Sequence, residues 1–316
     1  MFRLNAAAAA LAAVVASTTG ATAQEWNPPG PIRMIIGFQA GGGADTHMRL
    51  IAEAIEENRG WEIIPENLPG RGGVNAAREL LDEPADGSAI AVLVAETLGY
   101  SARTSPGSGV EPSRFTPITT TAGHQTGFVA NAASGWTDLG AVLEAARAGE
   151  PIRMGALSAL HDDIIYLLGE ANDIEFNVVP VRGGGRAALN ALAAGDIDVG
   201  IVAGAQARGV ASGELVNLAS TIGEPLRLSP DAPLLSEYGV DFTLEGYFMV
   251  AGPADMPDEA RAAIASAVAE ATASGPAAEF IGRAFGGPLL IAGDDLDALI
   301  ARTWETSAEL LEAVSE

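Results

Sequence analysis

The residues of this chain best suited to chemistry are glycines placed where strands give way to helices. Three runs stand out: Phe38-Gln39-Ala40-Gly41-Gly42-Gly43-Ala44-Asp45, Pro69-Gly70-Arg71-Gly72-Gly73-Val74 and Arg182-Gly183-Gly184-Gly185-Arg186. Each follows an apolar stretch and opens a helical pattern. Without a Cβ in the way, backbone N–H groups at a helix N-terminus can close on an anion. That is binding chemistry for a small acid. Arg71, Arg182 and Arg186 can add a fork to a carboxylate, or can serve only as solvated charges beside acidic neighbours. A dinucleotide fingerprint is the sharper alternative, and it fails. Counting G-x-G-x-x-G/A from Gly41 places Thr46 at the last position.

A fourth stretch, Ser158 to Asp163, follows an apolar strand at the corresponding end of the second half. Ser158 and the N–H groups of that turn are candidate donors. His161 is a further donor, or a structural hydrogen-bonder. Asp162 and Asp163 suit an ammonium group, or favour the helix N-terminus through its dipole. Catalytic constellations are missing. There is no G-x-S-x-G elbow, and no histidine stands in a serine–acid context. The chain has no cysteine and no lysine, which removes thiol nucleophiles, Cys-ligated metals and Schiff-base chemistry. His47, His124 and His161 are the three histidines, and no two share metal-ligand spacing. No catalytic residue, cofactor or metal is expected.

The elements that must position these residues follow from periodicity. Residues 32–38, 61–66 and 88–94 read as strands, alternating with helices at 45–58 and 74–81. Residues 119–130 read as one strand crossing into a second lobe. There the grammar restarts, with helices at 138–148, 161–171 and 186–194 and strands at 152–156, 176–181, 197–202 and 215–220. Residues 242–250 cross back, Pro257 opens a helix, and a strand at 289–292 precedes a long helix at 295–314. Two α/β lobes, each a mostly parallel sheet flanked by helices and joined by two crossing strands, make a hinge and a cleft. Ligands of such sheets sit beyond the carboxyl ends of the strands, where the glycine loops lie. The expected partition is 24–122 plus about 248–316 for lobe one and about 123–247 for lobe two.

Residues 1–23 read as an export signal: Arg3, an apolar run at 6–16 and the small-x-small site Ala21-Thr22-Ala23, with cleavage after Ala23. A formal charge of −24 repels nucleic acid and gives long-range capture of an anion no help. Binding must then come from local dipoles, since distant charge is screened within about 8–10 Å.

The string Pro31-Ile32-Arg33-Met34-Ile35-Ile36-Gly37-Phe38, with the Gly41-Gly42-Gly43 loop closed by Asp45, resembles the opening of the Bug family, the extracytoplasmic receptors of tripartite tricarboxylate transporters. Glu66-Asn67-Leu68-Pro69-Gly70-Arg71-Gly72-Gly73 and the stretch from Val179 to Asp198 match further family motifs. The resemblance implies a periplasmic-binding-protein fold and a monomer that holds a carboxylated solute and passes it to membrane subunits of a permease. It implies that the first two loops hold one carboxylate. The implied ligand wall comprises Phe38, Ala40, Gly41, Gly42, Gly43, Asp45, Gly70, Gly72, Gly73, Val74, Thr97, Ser158, His161, Arg182, Gly183, Gly184 and Gly185. Three departures stand out. Gln39 replaces the loop proline, Ala156 to His161 replace a glycine-serine turn, and Val202 to Ala205 replace an Asp-Asn-Leu-Pro stretch. The first carboxylate motif is intact, and the distal wall is altered.

Overall fold

The computed structural model describes residues 26–244 and 246–315. The expected export signal lies outside them. In chain order the strands are β1 (Ile32–Ile36), β2 (Ile63–Asn67), β3 (Ala89–Val94), β4 (Phe115–Gly123), β5 (Thr126–Asn131), β6 (Arg153–Ala156), β7 (Asn177–Pro180), β8 (Val199–Ala203), β9 (Leu215–Ser220) and β10 (Tyr247–Pro253). The helices are α1 (Gly43–Arg59), α2 (Val74–Leu80), α3 (Leu139–Arg147), α4 (Ala159–Asn172), α5 (Gly184–Ala194), α6 (Ala207–Ser212), α7 (Asp258–Ala273), α8 (Gly275–Phe285) and α9 (Asp294–Ala313).

The strands form two five-stranded sheets, ordered β2-β1-β3-β10-β4 and β7-β6-β8-β5-β9. In each, three strands run parallel and the remaining two complete the sheet through antiparallel pairs. β3 is buried along its whole length, as expected of a strand with both faces covered. One face of the first sheet packs on α1, α7 and α8 through Met48, Ile51, Ile264 and Ile281. The other packs on α2 and α9 through Val74, Leu80, Leu296 and Ile300. The second sheet has its own core around Phe128, Met154, Ile164 and Leu168.

Three expectations about strands are corrected. The single crossing strand at 119–130 is two strands, β4 and β5, with His124 and Gln125 between them. The break lets one segment leave the first sheet and join the second. The return crossing begins its strand at Tyr247, later than 242, and the His124 N–H donates to the Gly246 carbonyl (2.6 Å), tying the crossings together. Residues 289–292 make no strand. The Thr120 hydroxyl donates to the Leu289 carbonyl (2.6 Å) and accepts from the Ile291 N–H (2.8 Å), taking up groups that a regular ladder would use. Nor does α9 belong wholly to the first sheet, because Leu310 near its end is part of the second sheet's core.

Candidate functional site

A cleft of about 1390 Å³ opens between the sheets, and all three glycine turns line it. Gly42 and Gly43 bring in the start of α1. Gly42 is the N-cap, in extended conformation (φ −76°, ψ 174°), and no side chain caps the helix. Its first-turn N–H groups are therefore left without a side-chain acceptor at the cleft wall, where the positive end of the helix dipole lies. From the second sheet, α5 begins the same way after Gly183, again without a side-chain cap. α4 begins at the cleft too, after Ser158, whose hydroxyl does not cap the helix and is buried without a well-formed hydrogen bond. By contrast, α3 is capped by Asp138, whose carboxylate accepts from the Ala141 N–H (3.0 Å).

Of the seventeen expected wall residues, Phe38, Gly42, Gly43, Gly70, Gly72, Gly73, Ser158, His161, Arg182, Gly183, Gly184 and Gly185 line the cleft. Ala40, Gly41, Asp45, Val74 and Thr97 do not, and three of these have clear work behind the wall. Asp45 is 4 % exposed. Its carboxylate accepts from the Gly41 N–H (2.8 Å), the Arg49 guanidinium (2.7 Å) and the Asn67 amide (2.8 Å). Asn67 also donates to the Phe38 carbonyl (3.0 Å), so the Asp45–Asn67 pair ties the first turn to the second strand. Burial works to raise the Asp45 pKa, but the Gly41 N–H, Asn67 and Arg49 outweigh it and hold the carboxyl below its usual range. Thr97 supports the second turn, its hydroxyl donating to the Gly72 carbonyl (2.7 Å). Val74 is fully buried in the first-sheet core.

His161 presents a donor. The Leu157 N–H donates to its Nδ1 (3.3 Å), so the proton of the neutral ring sits on Nε2. Burial pushes its pKa down to about 4, which keeps the ring neutral. His47 is spent structurally: Nδ1 donates to the Gly43 carbonyl (3.2 Å) and Nε2 accepts from the Thr121 hydroxyl (2.9 Å). His124 lies against Phe248, with ring centroids 4.3 Å apart.

The sequence and the fold have counterparts of known type. A model of the tripartite tricarboxylate transporter family receptor matches residues 47–315. The chain belongs to this family. The receptor is 28% identical over 258 residues to the "UPF0065 protein in gbd 5'region" of Cupriavidus necator, covering 78% of this chain and 76% of that one. Among solved structures it is similar to MatC of Rhodopseudomonas palustris, determined with bound malate, at 20% identity and a TM-score of 0.75, covering 90% of this chain and 99% of that one. A second R. palustris protein, determined with adipate, gives 20% identity and a TM-score of 0.79, covering 91% and 98%. These structural likenesses support the two-lobed α/β fold.

Sequence reasoning missed several groups that the receptor places at its cleft. Arg208, Arg283 and Arg302 join Arg71, Arg182 and Arg186 in the lining, giving six guanidinium groups from both sides, none in a salt bridge among the described residues. By contrast Arg33, Arg49, Arg59, Arg153 and Arg261 are each paired with a carboxylate. Glu96 and Tyr100 also line the cleft. They belong to the stretch after β3 that includes a π-helical turn over Thr97–Ser101. The Tyr100 hydroxyl donates to Asp163 of α4, bridging from the first-sheet side to the second (2.5 Å). Burial, then the Asp163 hydrogen bond, raises the tyrosine's pKa above its ordinary range. No spacing signal marks these residues. The one available hint was position, since they follow the carboxyl end of a buried strand.

Proposed function

We propose that this receptor captures a small organic carboxylate between its lobes, without transforming it, and delivers it to the membrane subunits of a tripartite transporter. One observation carries the reading: glycine turns from both sheets line a single cleft, with the uncapped starts of α1, α4 and α5 beside six arginines. Charge-assisted bonds contribute about 1.5–3 kcal/mol each. A micromolar complex needs about 8 kcal/mol net, so a few such bonds exceed the cost of closure.

In this reading the first two turns hold one carboxylate and the second-sheet side contacts the remainder of the ligand. Twelve of the expected wall residues are retained as contacts. Gly41, Asp45, Val74 and Thr97 become supports, and Ala40 is dropped from the wall. The working lobes are 24–122 with about 248–316, and about 123–247, with α9 lying across both. The protein acts as a periplasmic monomer after cleavage behind Ala23.

A thermal-shift screen of mono-, di- and tricarboxylates tests the proposal. Malate and adipate are the natural first compounds, because similar structures were determined with them. A dose-dependent rise in Tm is expected for at least one acid. Folded, ligand-free protein that answers to no acid at millimolar concentration would refute it.

A further inference from the structure

Among the described residues, Glu96 is the one carboxylate in the lining of a cleft otherwise supplied with arginines. It stands just beyond the carboxyl end of β3. Its Oε1 accepts from the Ser101 hydroxyl (3.3 Å), and a methyl group built on Gly72 would lie 3.5 Å from that same oxygen. The carboxyl of Glu96 therefore borders the inner side of the glycine turn that is read as holding the ligand's own carboxylate. Two carboxylates side by side cannot both stay ionised unless a cation separates them. Glu96 takes part in no salt bridge among the described residues.

The π-turn supplies Ser101 and Tyr100, and Tyr100 is already committed to Asp163. The glycine turn supplies Arg71 and α9 supplies Arg302, both exposed at the cleft. The facing α4 supplies Ser158, neutral His161, Asp162 and Asp163. The Ser158 hydroxyl lies close enough to favour the charged form of Glu96, although its geometry falls short of a hydrogen bond. Burial dominates and pushes the Glu96 carboxyl above its ordinary range. Asp162 and Asp163 are pushed the same way, chiefly by burial. No arginine stands within salt-bridge distance of Glu96 among the described residues, although Arg71 and Arg302 line the same cleft.

Resting on the carboxylate reading above, we propose that Glu96 is protonated in the ligand complex and donates its O–H to the ligand carboxylate, so that capture takes up one proton from solvent. The proton enters as the anion does and leaves with it, and no covalent bond changes. Affinity should then rise toward acid, by up to about tenfold per pH unit above the pKa of Glu96 in the free protein.

The test is isothermal titration of malate and adipate into the full-length mature receptor, in two buffers of widely different ionisation enthalpy, from pH 6 to 8. The expected result is a buffer-dependent enthalpy corresponding to uptake that approaches one proton per site at the alkaline end. Glu96→Gln, whose amide donates without titrating, should abolish the buffer dependence and flatten the pH profile. Wild-type protein that binds either acid with no net proton exchange overturns the proposal and leaves the carboxylate reading standing. This arm needs no variant, so a misfolded Glu96→Gln cannot obscure it. Tight binding of aspartate in place of both acids, without proton uptake, would make Glu96 an acceptor for an ammonium group and would also overturn it. If no carboxylate binds, both readings fall together.

Discussion

Gly42→Val should separate binding from folding at the cleft. Gly42 has φ −76° and ψ 174°, an extended conformation open to every residue. A Cβ there would meet one atom within 4 Å, the Gln39 carbonyl oxygen at 3.2 Å. That contact is tight, but the unfolded chain loses freedom when glycine is replaced, which offsets the strain by about 0.4–1 kcal/mol. The net change in stability should stay within about 1 kcal/mol. Binding should suffer far more. The valine would stand at the open start of α1, over N–H groups that no side chain caps. Displacing two charge-assisted bonds to the ligand loses about 3–6 kcal/mol, or roughly two to four orders of magnitude in Kd. Urea denaturation gives the first quantity and calorimetry with a confirmed ligand the second. A Gly42→Val protein that binds as tightly as wild type would show that the first turn does not hold the acid. One that fails to fold would show that the local backbone has been misjudged.

Gly72→Ala should behave in the opposite way, because Gly72 has φ +62° and its Cβ would fall 2.1 Å from Ser101 Oγ and 2.9 Å from Ser101 Cβ. The left-handed backbone and the overlap together should cost about 2–5 kcal/mol in urea denaturation, and adding Ser101→Gly should recover part of it. Tyr100→Phe removes the bond to Asp163 that bridges the cleft, so affinity should weaken by about threefold to tenfold, and small-angle scattering should show a more open ligand-free protein. Asp45 has a depressed pKa, so its stabilisation is complete above the unfolded value of about 4 and is lost as pH falls through the lower folded value. Asp45→Asn should therefore be about 1–3 kcal/mol less stable at neutral pH, with the gap closing in acid, as followed by Tm against pH.

The chain advertises its layers well because buried strands write their own pattern. Ile32, Met34, Ile35 and Ile36 form a nearly continuous apolar run that admits one reading, and the punctuation of glycine after strand is equally plain. The turns were legible for the same reason, since backbone geometry demands a residue type. What stayed hidden was everything decided by packing across long sequence distances. Asp45 was placed in the ligand wall by the family resemblance, yet its partner Asn67 lies 22 positions away and turns it inward. Glu96 and Tyr100 carry no spacing signal, because a single π-helical turn has no period to read. The crossing at His124 was read as continuous because Thr119 to Thr121 before the break and Thr126, Phe128 and Val129 after it all suit β-structure. The second-sheet role of Leu310 is likewise invisible along the helix that bears it.

The distribution of charge explains how so acidic a protein can hold an anion. A formal −24 would repel the ligand if the field were felt at every distance. In physiological salt it is not, because charges more than about 8 Å apart are largely screened. What the ligand meets on arrival is the local set, and there the balance is inverted: among the described residues six arginines line the cleft against Glu96 alone. These arginines are exposed, so each should add little to affinity, about 0–1 kcal/mol, and should act mainly on the rate of encounter at low ionic strength. The main-chain amides behave differently, because they are fixed by the fold and cannot be screened away once the cleft shuts around the acid. Selectivity therefore belongs to the turns and to the groups facing them across the cleft, while the arginines admit anions as a class. On this argument, replacing Arg182 and Arg283 together with glutamine should slow association and weaken its salt dependence, while leaving the order of preference among acids unchanged.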